Sequence, residues 1–414
     1  MRPELHKTAR SLEKGREFGF GIILTFFFLV GCYKTIHAVQ PGEVWVDKDN
    51  REYKIIKILG KGSSGEVYQV ECLSGCARSK QIQAMKFARP IRDQKNNLIL
   101  SGKDSLQFYG SPQHRKLMDS NPSFFLNYEP TQEVWLKQHA YEGSEFVVRS
   151  TLAKGTFETK KPERLSEDQR IIRSDLLFLA GQGALLALHS NNLVHGDIKP
   201  SNYFLLKSNN IMGAQARLGD LDSVSETGTS KVIMFTPSYA APERLHYQQR
   251  LSNVPSEDLF SQAQSISHEL FRKPLLLMYF QIQFKNSSVD SNDLFSRGTR
   301  LLLSNKRAAT DFESFVNSKL RELLPPTTEL DKEKERFLES AFKVDPVKRV
   351  HAVAKAFPET FGKAYQNTGL LDKENLNEFV SGEPTRDESL VFNLGSRRCL
   401  KSFARLATEH SAQH

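Results

Sequence analysis

Apolar and polar residues alternate along three short runs, at residues 53–59, 66–72 and 81–87, and a two-residue period predicts a β-strand in each. The next stretch, residues 88–126, is polar, rich in Asn and Ser and only weakly periodic, and it reads as a long insertion. From Glu129 the spacing becomes helical. The longest helical pattern covers residues 166–190, where Leu176, Leu177, Leu179, Ala180, Leu185 and Leu188 recur at helical intervals. A second covers residues 256–272, and short helices are expected across 293–357, followed by a polar tail. Strands first and helices later, without regular βαβ alternation, predict an α+β fold.

A different pattern marks the N-terminus. Residues 1–17 are polar and of mixed charge, with Arg2, Lys7, Arg10, Lys14 and Arg16 among them, whereas residues 18–33 carry no charge at all. These sixteen residues fall short of the roughly 20 that a spanning helix uses and lie close to the length of a signal-peptide core, about 7–15. A basic segment followed by an apolar one suits a single-pass anchor or a cleaved signal; a buried segment of the folded domain is the third reading. Leu29-Val30-Gly31-Cys32 also resembles a bacterial lipoprotein box, which would put a lipid on Cys32. The expectation is membrane association through residues 18–33, with an exported or a cytoplasmic protein as the alternatives, and a linker over 34–52.

Composition narrows this picture. The 414 residues are 39% hydrophobic and 25% charged, an ordinary globular balance with enough apolar material for a sizeable core. Lys and Arg outnumber Asp and Glu 57 to 48, but the basic residues are dispersed. No arginine-rich or aromatic-interleaved block appears, so nucleic acid is not an expected partner. Four cysteines are too few for a disulfide framework. Cys72 and Cys76 lack a second pair at ligand spacing, which argues against zinc, and they are expected as two small residues of a β-hairpin.

The candidate chemistry sits on these elements. At the end of the first strand stands Gly60-Lys61-Gly62-Ser63-Ser64-Gly65, where glycines let backbone N–H groups approach phosphate oxygens. Dinucleotide-binding folds share this spacing but follow it with a helix. Here Val67-Tyr68-Gln69-Val70 continues as a strand, which predicts a hairpin lid over a nucleotide. Lys86, in the apolar context Ala84-Met85-Lys86, would set a cation against phosphates. Further on comes His195-Gly196-Asp197-Ile198-Lys199-Pro200-Ser201-Asn202, a carboxylate followed by an amide. Asp197 can accept a proton from an attacking hydroxyl while Asn202 binds a metal. Gly219-Asp220-Leu221-Asp222 offers a second metal-binding carboxylate, and Ala241-Pro242-Glu243 closes the segment that begins there.

Taken in this order, the strings resemble the eukaryotic-type protein kinase family over roughly residues 53–360. Three more strings extend the likeness: Thr236-Pro237-Ser238-Tyr239-Ala240-Ala241-Pro242-Glu243, Asp258-Leu259-Phe260-Ser261 and Asp345-Pro346-Val347-Lys348-Arg349. The resemblance implies a bilobal fold, with a small β-rich N-lobe and a larger α-helical C-lobe, and a polar tail over 361–414. It implies ATP and Mg²⁺ as cofactors and a protein as substrate. Gly60, Gly62 and Gly65 would cover the phosphates and Val67 the adenine ring. Lys86 would hold the α- and β-phosphates and pair with a helix glutamate, for which Glu133 is the choice and Glu129 the alternative. Asp197 would be the catalytic base, Lys199 would contact the γ-phosphate, and Asn202 and Asp220 would bind Mg²⁺. Arg349 would pair with Glu243, and Asp258 would open the helix that anchors the catalytic loop. His195 is implied as a scaffold residue. Lys199 in its string resembles serine/threonine kinases, and Thr236 would brace Asp197 and Lys199. Two positions depart from the family: Gly196 stands where arginine is usual, and Asp222 where glycine is. A pseudokinase scaffold and a small-molecule phosphotransferase of kinase-like fold are the competing readings.

Overall fold

The three alternating runs form antiparallel strands, as their period demands. In the computed structural model, which describes residues 39–62, 64–76, 81–92, 98–137, 144–159, 162–206, 215–229, 235–247, 254–285, 291–323 and 327–372, they are β2 (Glu52–Lys61), β3 (Gly65–Ser74) and β4 (Ile82–Ala88). The run at 18–33, Cys32 and the tail from 373 onward lie outside the described residues. The chain divides after Gln40 into two units, and the described strands and helices belong to the one that begins at Pro41.

The region expected as a linker contributes β1 (Val44–Asp47), which pairs with β2 and buries Trp45 edge-on against Phe87, ring centroids 5.0 Å apart. Four residues are too few to announce a strand by alternation; pairing on both sides decides it. The polar stretch after β4 holds a short hairpin, β5 (Ile91–Arg92) and β6 (Leu98–Leu100), then helices α1 (Gly102–Ser105) and α2 (Pro112–Ser120). α2 starts where Ser111 accepts the His114 N–H and Pro112 opens the first turn. The stretch is not peripheral, because Leu106, Tyr109, Leu117 and Phe125 are buried in the main core.

The helix expected from Glu129 is instead a pair of strands, β7 (Gln132–Leu136) and β8 (Ser144–Thr151). Val134 and Leu136 are buried, Trp135 between them is half-buried and Glu133 before them is exposed, which is the two-residue period of a strand. β7 pairs with β1 and β8 with β4, so the sheet closes as a barrel in the order β1-β2-β3-β4-β8-β7. Cys72 and Cys76 are joined as a disulfide across the turn after β3. Gly75 takes φ +76° in that turn, and this reversal brings the two thiols together, which spacing alone did not show.

Small sheets then frame the loops that carry chemistry. β9 (Gly155–Thr156) pairs with β11 (Tyr203–Leu205), which pairs with β12 (Ala216–Leu218); β10 (Leu193–Val194) pairs with β13 (Ser225–Glu226). Between β9 and β10 runs α3 (Glu167–His189), opened by a capping box between Ser166 and Gln169. Among the described residues α3 is the one helix long and apolar enough to cross a membrane. Here it serves as a core helix, packed on α5 (Pro255–Phe271). α4 (Pro242–Tyr247) precedes α5 (Pro255–Phe271), which is buried on nearly all sides. Gly181 of α3 makes the close approach possible: a Cβ there would lie 2.0 Å from the Gln262 side chain, which donates to the Leu177 carbonyl.

The C-lobe is completed by α6 (Leu275–Gln283), α7 (Ser291–Ser304), α8 (Lys306–Leu323), α9 (Glu329–Ala341), α10 (Pro346–Ala356) and α11 (Lys363–Asn367). The folded region therefore continues past the boundary expected at 360. Tyr365 is buried and its hydroxyl sits 2.9 Å from His189 Nδ1, tying α11 back to α3. A β-rich N-lobe followed by a helical C-lobe is the bilobal α+β architecture anticipated above.

Candidate active site

The string from His195 to Asn202 spans the loop between β10 and β11, and α5 holds it from below. Both carboxylate oxygens of Asp258 accept backbone N–H groups, from His195 at 2.7 Å and Gly196 at 2.9 Å. His195 Nε2 lies 3.1 Å from the Gly219 carbonyl, so this ring bridges the two loops as a scaffold. Gly196 adopts φ +78°, a left-handed conformation that glycine takes without steric cost.

Three side chains then close a small circuit. The Asp197 carboxylate accepts the Thr236 N–H at 2.9 Å and the Lys199 ammonium at 2.5 Å, while Lys199 also donates to the Thr236 hydroxyl at 2.9 Å. Burial acts to lower the Lys199 pKa, but the Asp197 and Asp220 carboxylates outweigh it and hold the ammonium above its ordinary value. The bracing by Thr236 is as the resemblance implied. Asn202 donates through its side-chain nitrogen to the Asp197 carbonyl at 2.8 Å, which leaves the amide oxygen as its acceptor for another partner.

Opposite stand the nucleotide-facing elements. Gly60 is paired with Val67, and Val67 with Lys86, so all three lie side by side across β2, β3 and β4. The Gly62 N–H bonds the Gly65 carbonyl at 2.8 Å, and a Cβ on Gly65 would sit 2.1 Å from the Phe87 oxygen, so only glycine fits. The lid hairpin is therefore present with its lysine beneath it.

Lys86 does not meet a helix glutamate. Glu133 lies on β7 with its side chain exposed, and Glu129 is ion-paired with the buried Arg149. Instead the Lys86 ammonium is held at 2.6 Å by both Asp220 and Asp222. Burial lowers the Lys86 pKa, but the two carboxylates more than reverse it and keep the lysine charged. Burial likewise tends to raise Asp220, yet Lys86 and Lys199 bring its pKa down to about 2. Asp222 is left above the usual carboxylate range by burial, against the pull of Lys86.

Two tyrosines that the motif reading did not single out brace this turn. The Tyr128 hydroxyl accepts the Asp220 N–H at 2.8 Å; the Tyr109 hydroxyl accepts the Leu221 N–H at 2.8 Å and donates to Asp222 at 2.9 Å. Tyr109 comes from the polar stretch after β4 and Tyr128 from just beyond it, and nothing in the sequence distinguishes them from ordinary core aromatics. Asp220 itself takes φ +56°, a conformation Asp tolerates better than most residues.

The donor set suits a hard divalent cation. Asp220 is ionised and Asn202 retains its amide oxygen, and Mg²⁺ is commonly held by one or two such oxygens together with phosphates and water. Among the described residues no group of three or more His, Cys, Asp or Glu side chains forms a self-contained metal cage.

A barrel lid with a buried lysine, facing a braced aspartate and two oxygen donors on a helical lobe, defines a phosphoryl-transfer fold of the protein kinase type. Residues 53–357 match the protein kinase domain family, and the chain belongs to it. It is 25% identical over 257 residues to serine/threonine-protein kinase ArnS of Sulfolobus acidocaldarius, covering 56% of this chain and 40% of that protein. It is 28% identical over 226 residues to the membrane-associated tyrosine- and threonine-specific cdc2-inhibitory kinase wee-1.3 of Caenorhabditis elegans, covering 52% and 27%. It is also similar to the inactive serine/threonine-protein kinase PLK5 of Mus musculus, at 27% identity over 199 residues, 47% of this chain and 29% of that protein. The chain thus spans less than half the length of each of these relatives. Family members generally use ATP and Mg²⁺. One of these relatives is named inactive, so activity has to be argued from the residues.

Proposed function

We propose that this chain is an active kinase that transfers the γ-phosphate of ATP to serine or threonine hydroxyls of a protein. The circuit of Asp197, Lys199 and Thr236 is the observation that carries this reading. It fixes the carboxylate in one orientation, where Asp197 can orient an acceptor hydroxyl and take its proton as the oxygen attacks the γ-phosphorus. Lys199 and Lys86 supply the positive charge that a transferring phosphoryl group needs. Asp220 and Asn202 would hold Mg²⁺, which neutralises phosphate charge when bound. The preference for serine and threonine rests on Lys199 and on the hydroxyl of Thr236 that it grips. The name of one relative, a serine/threonine-protein kinase, agrees with it, whereas another is named tyrosine- and threonine-specific.

Full-length protein with radiolabelled ATP, Mg²⁺ and generic protein substrates, beside an Asp220→Asn control, tests this. Phosphoserine and phosphothreonine should appear in the wild-type reaction. Mainly phosphotyrosine would overturn the specificity, and incorporation no higher than the control would leave a scaffold in place of an enzyme.

We also propose that residues 18–33 deliver the protein to a membrane. The charge-free run behind a basic segment supports this, and the Cys72–Cys76 disulfide fits passage through an oxidising compartment. Full-length protein should partition with membranes, whereas a chain beginning at Gln40 should remain soluble. Equal solubility of both without detergent is the result that ends this proposal and leaves the kinase reading untouched.

A further inference from the structure

The helix glutamate that the family resemblance leads one to expect opposite Lys86 is not supplied by the segment that should carry it. Between Ala88 and Gln132 the sequence holds one glutamate, Glu129, and that residue is committed to Arg149. Of the aspartates described there, Asp104 bonds Ser101 at the exposed start of α1 and Asp119 is exposed at the end of α2. Yet the Lys86 side chain is only 13% exposed, and a buried ammonium needs a lasting counter-charge.

We propose that Asp222 is that counter-charge: it takes over the positioning role of the helix glutamate, holding Lys86 against the nucleotide, with Tyr109 orienting it. This rests on the kinase reading of the site. Two carboxylates share Lys86, each at 2.6 Å, but their other engagements differ. Asp220 faces a second demand, since with Asn202 it forms the oxygen pair suited to a cation. Asp222 instead has its second oxygen fixed by the Tyr109 hydroxyl at 2.9 Å. When Asp220 turns to a cation, Asp222 stays with the lysine. Tyr109 is itself immobilised: it is 1% exposed, tilted against Tyr128 at 4.8 Å and edge-on to His114 at 5.5 Å. One carboxylate therefore links the strand lysine and the α1–α2 segment. A residue two positions after the cation-binding Asp thus does from the C-lobe what a helix would do from the N-lobe.

A specific consequence follows. Glycine at 222, the residue usual in the family, should impair this chain, because the one glutamate between Ala88 and Gln132 is committed to Arg149 and does not replace the lost carboxylate. The test measures ATP affinity by calorimetry and phosphoryl transfer by initial rates on full-length wild type, Asp222→Asn, Asp222→Gly and Tyr109→Phe, with thermal melting as a check of folding. Asp222→Asn and Asp222→Gly should lower kcat/KM for ATP by about 10²-fold, the usual cost of a misplaced positioning group. Tyr109→Phe, which changes no charge, should move the same quantity in the same direction by less. In a Lys86→Met background, Asp222→Asn should have no further effect on ATP affinity, because the group it positions is gone. ATP affinity and kcat/KM at wild-type levels in Asp222→Gly overturn the proposal. So does a defect that persists undiminished beside Lys86→Met, or one that high Mg²⁺ repairs, since either marks a cation ligand and not a lysine partner. A wild type that binds ATP but transfers no phosphate overturns the kinase reading alone, and the affinity data still judge Asp222. A wild type that binds no ATP overturns both.

Discussion

Asp197→Asn should slow phosphoryl transfer by about 10²–10⁴-fold, the range that removal of a general base or a charge-stabilising group produces, while ATP binding stays close to wild type. Asparagine keeps the shape of the side chain and can still accept the Thr236 N–H. It cannot take a proton from an acceptor hydroxyl, and it offers Lys199 an amide in place of an anion. The nucleotide-facing groups, Gly60, Gly62, Gly65 and Lys86, are on other elements and are left alone. Initial rates at saturating Mg-ATP, read beside a direct measurement of ATP affinity, separate the two effects. A turnover within tenfold of wild type would remove Asp197 from the role of base.

Arg349→Met should cost about 3–5 kcal/mol of stability, the range found when one partner of a buried ion pair is deleted. Arg349 is fully buried, and its guanidinium reaches Glu243 at 2.6 and 3.2 Å. It also donates to the carbonyl oxygens of Lys343, Val344 and Ser256, and it lies over the Phe260 ring at 4.8 Å. Methionine fills part of the volume but strands the Glu243 charge and leaves three carbonyls without their donor. The double variant Glu243→Met with Arg349→Met should recover part of the loss, because no lone charge then remains buried. Denaturant titration of the three proteins reads this directly. A single variant within about 1 kcal/mol of wild type, the worth of an exposed pair, would show that this pair holds little.

The strand-loop-strand lid and the catalytic string were legible because their chemistry is local. Glycines at fixed offsets, a lysine on the next strand and an aspartate close before an asparagine are each set by neighbouring residues. Glu243 with Arg349 and Asp258 with the catalytic loop were also found, although far apart in sequence, because each sits in its own recognisable string. The errors share a different cause. Glu133 sits on a strand of five residues, too short for a period of 2 to be told from a helical one. β1 is shorter still, and only its pairing with β2 and β7 makes it part of the barrel. Tyr109 lies in, and Tyr128 just beyond, a polar stretch whose weak periodicity hid that it enters the core.

By itself the sequence determined that strands come first and helices later, which residues are candidates to meet phosphate, proton and cation, and the family whose strings they form, because those properties follow from residue type and short spacing. Which carboxylate holds Lys86 was decided only by the tertiary structure. That choice depends on how the α1–α2 segment, the glycine loop and the Asp220–Asp222 turn converge in space. A buried ammonium takes the anion that packing brings within reach, and sequence separation does not reveal that distance.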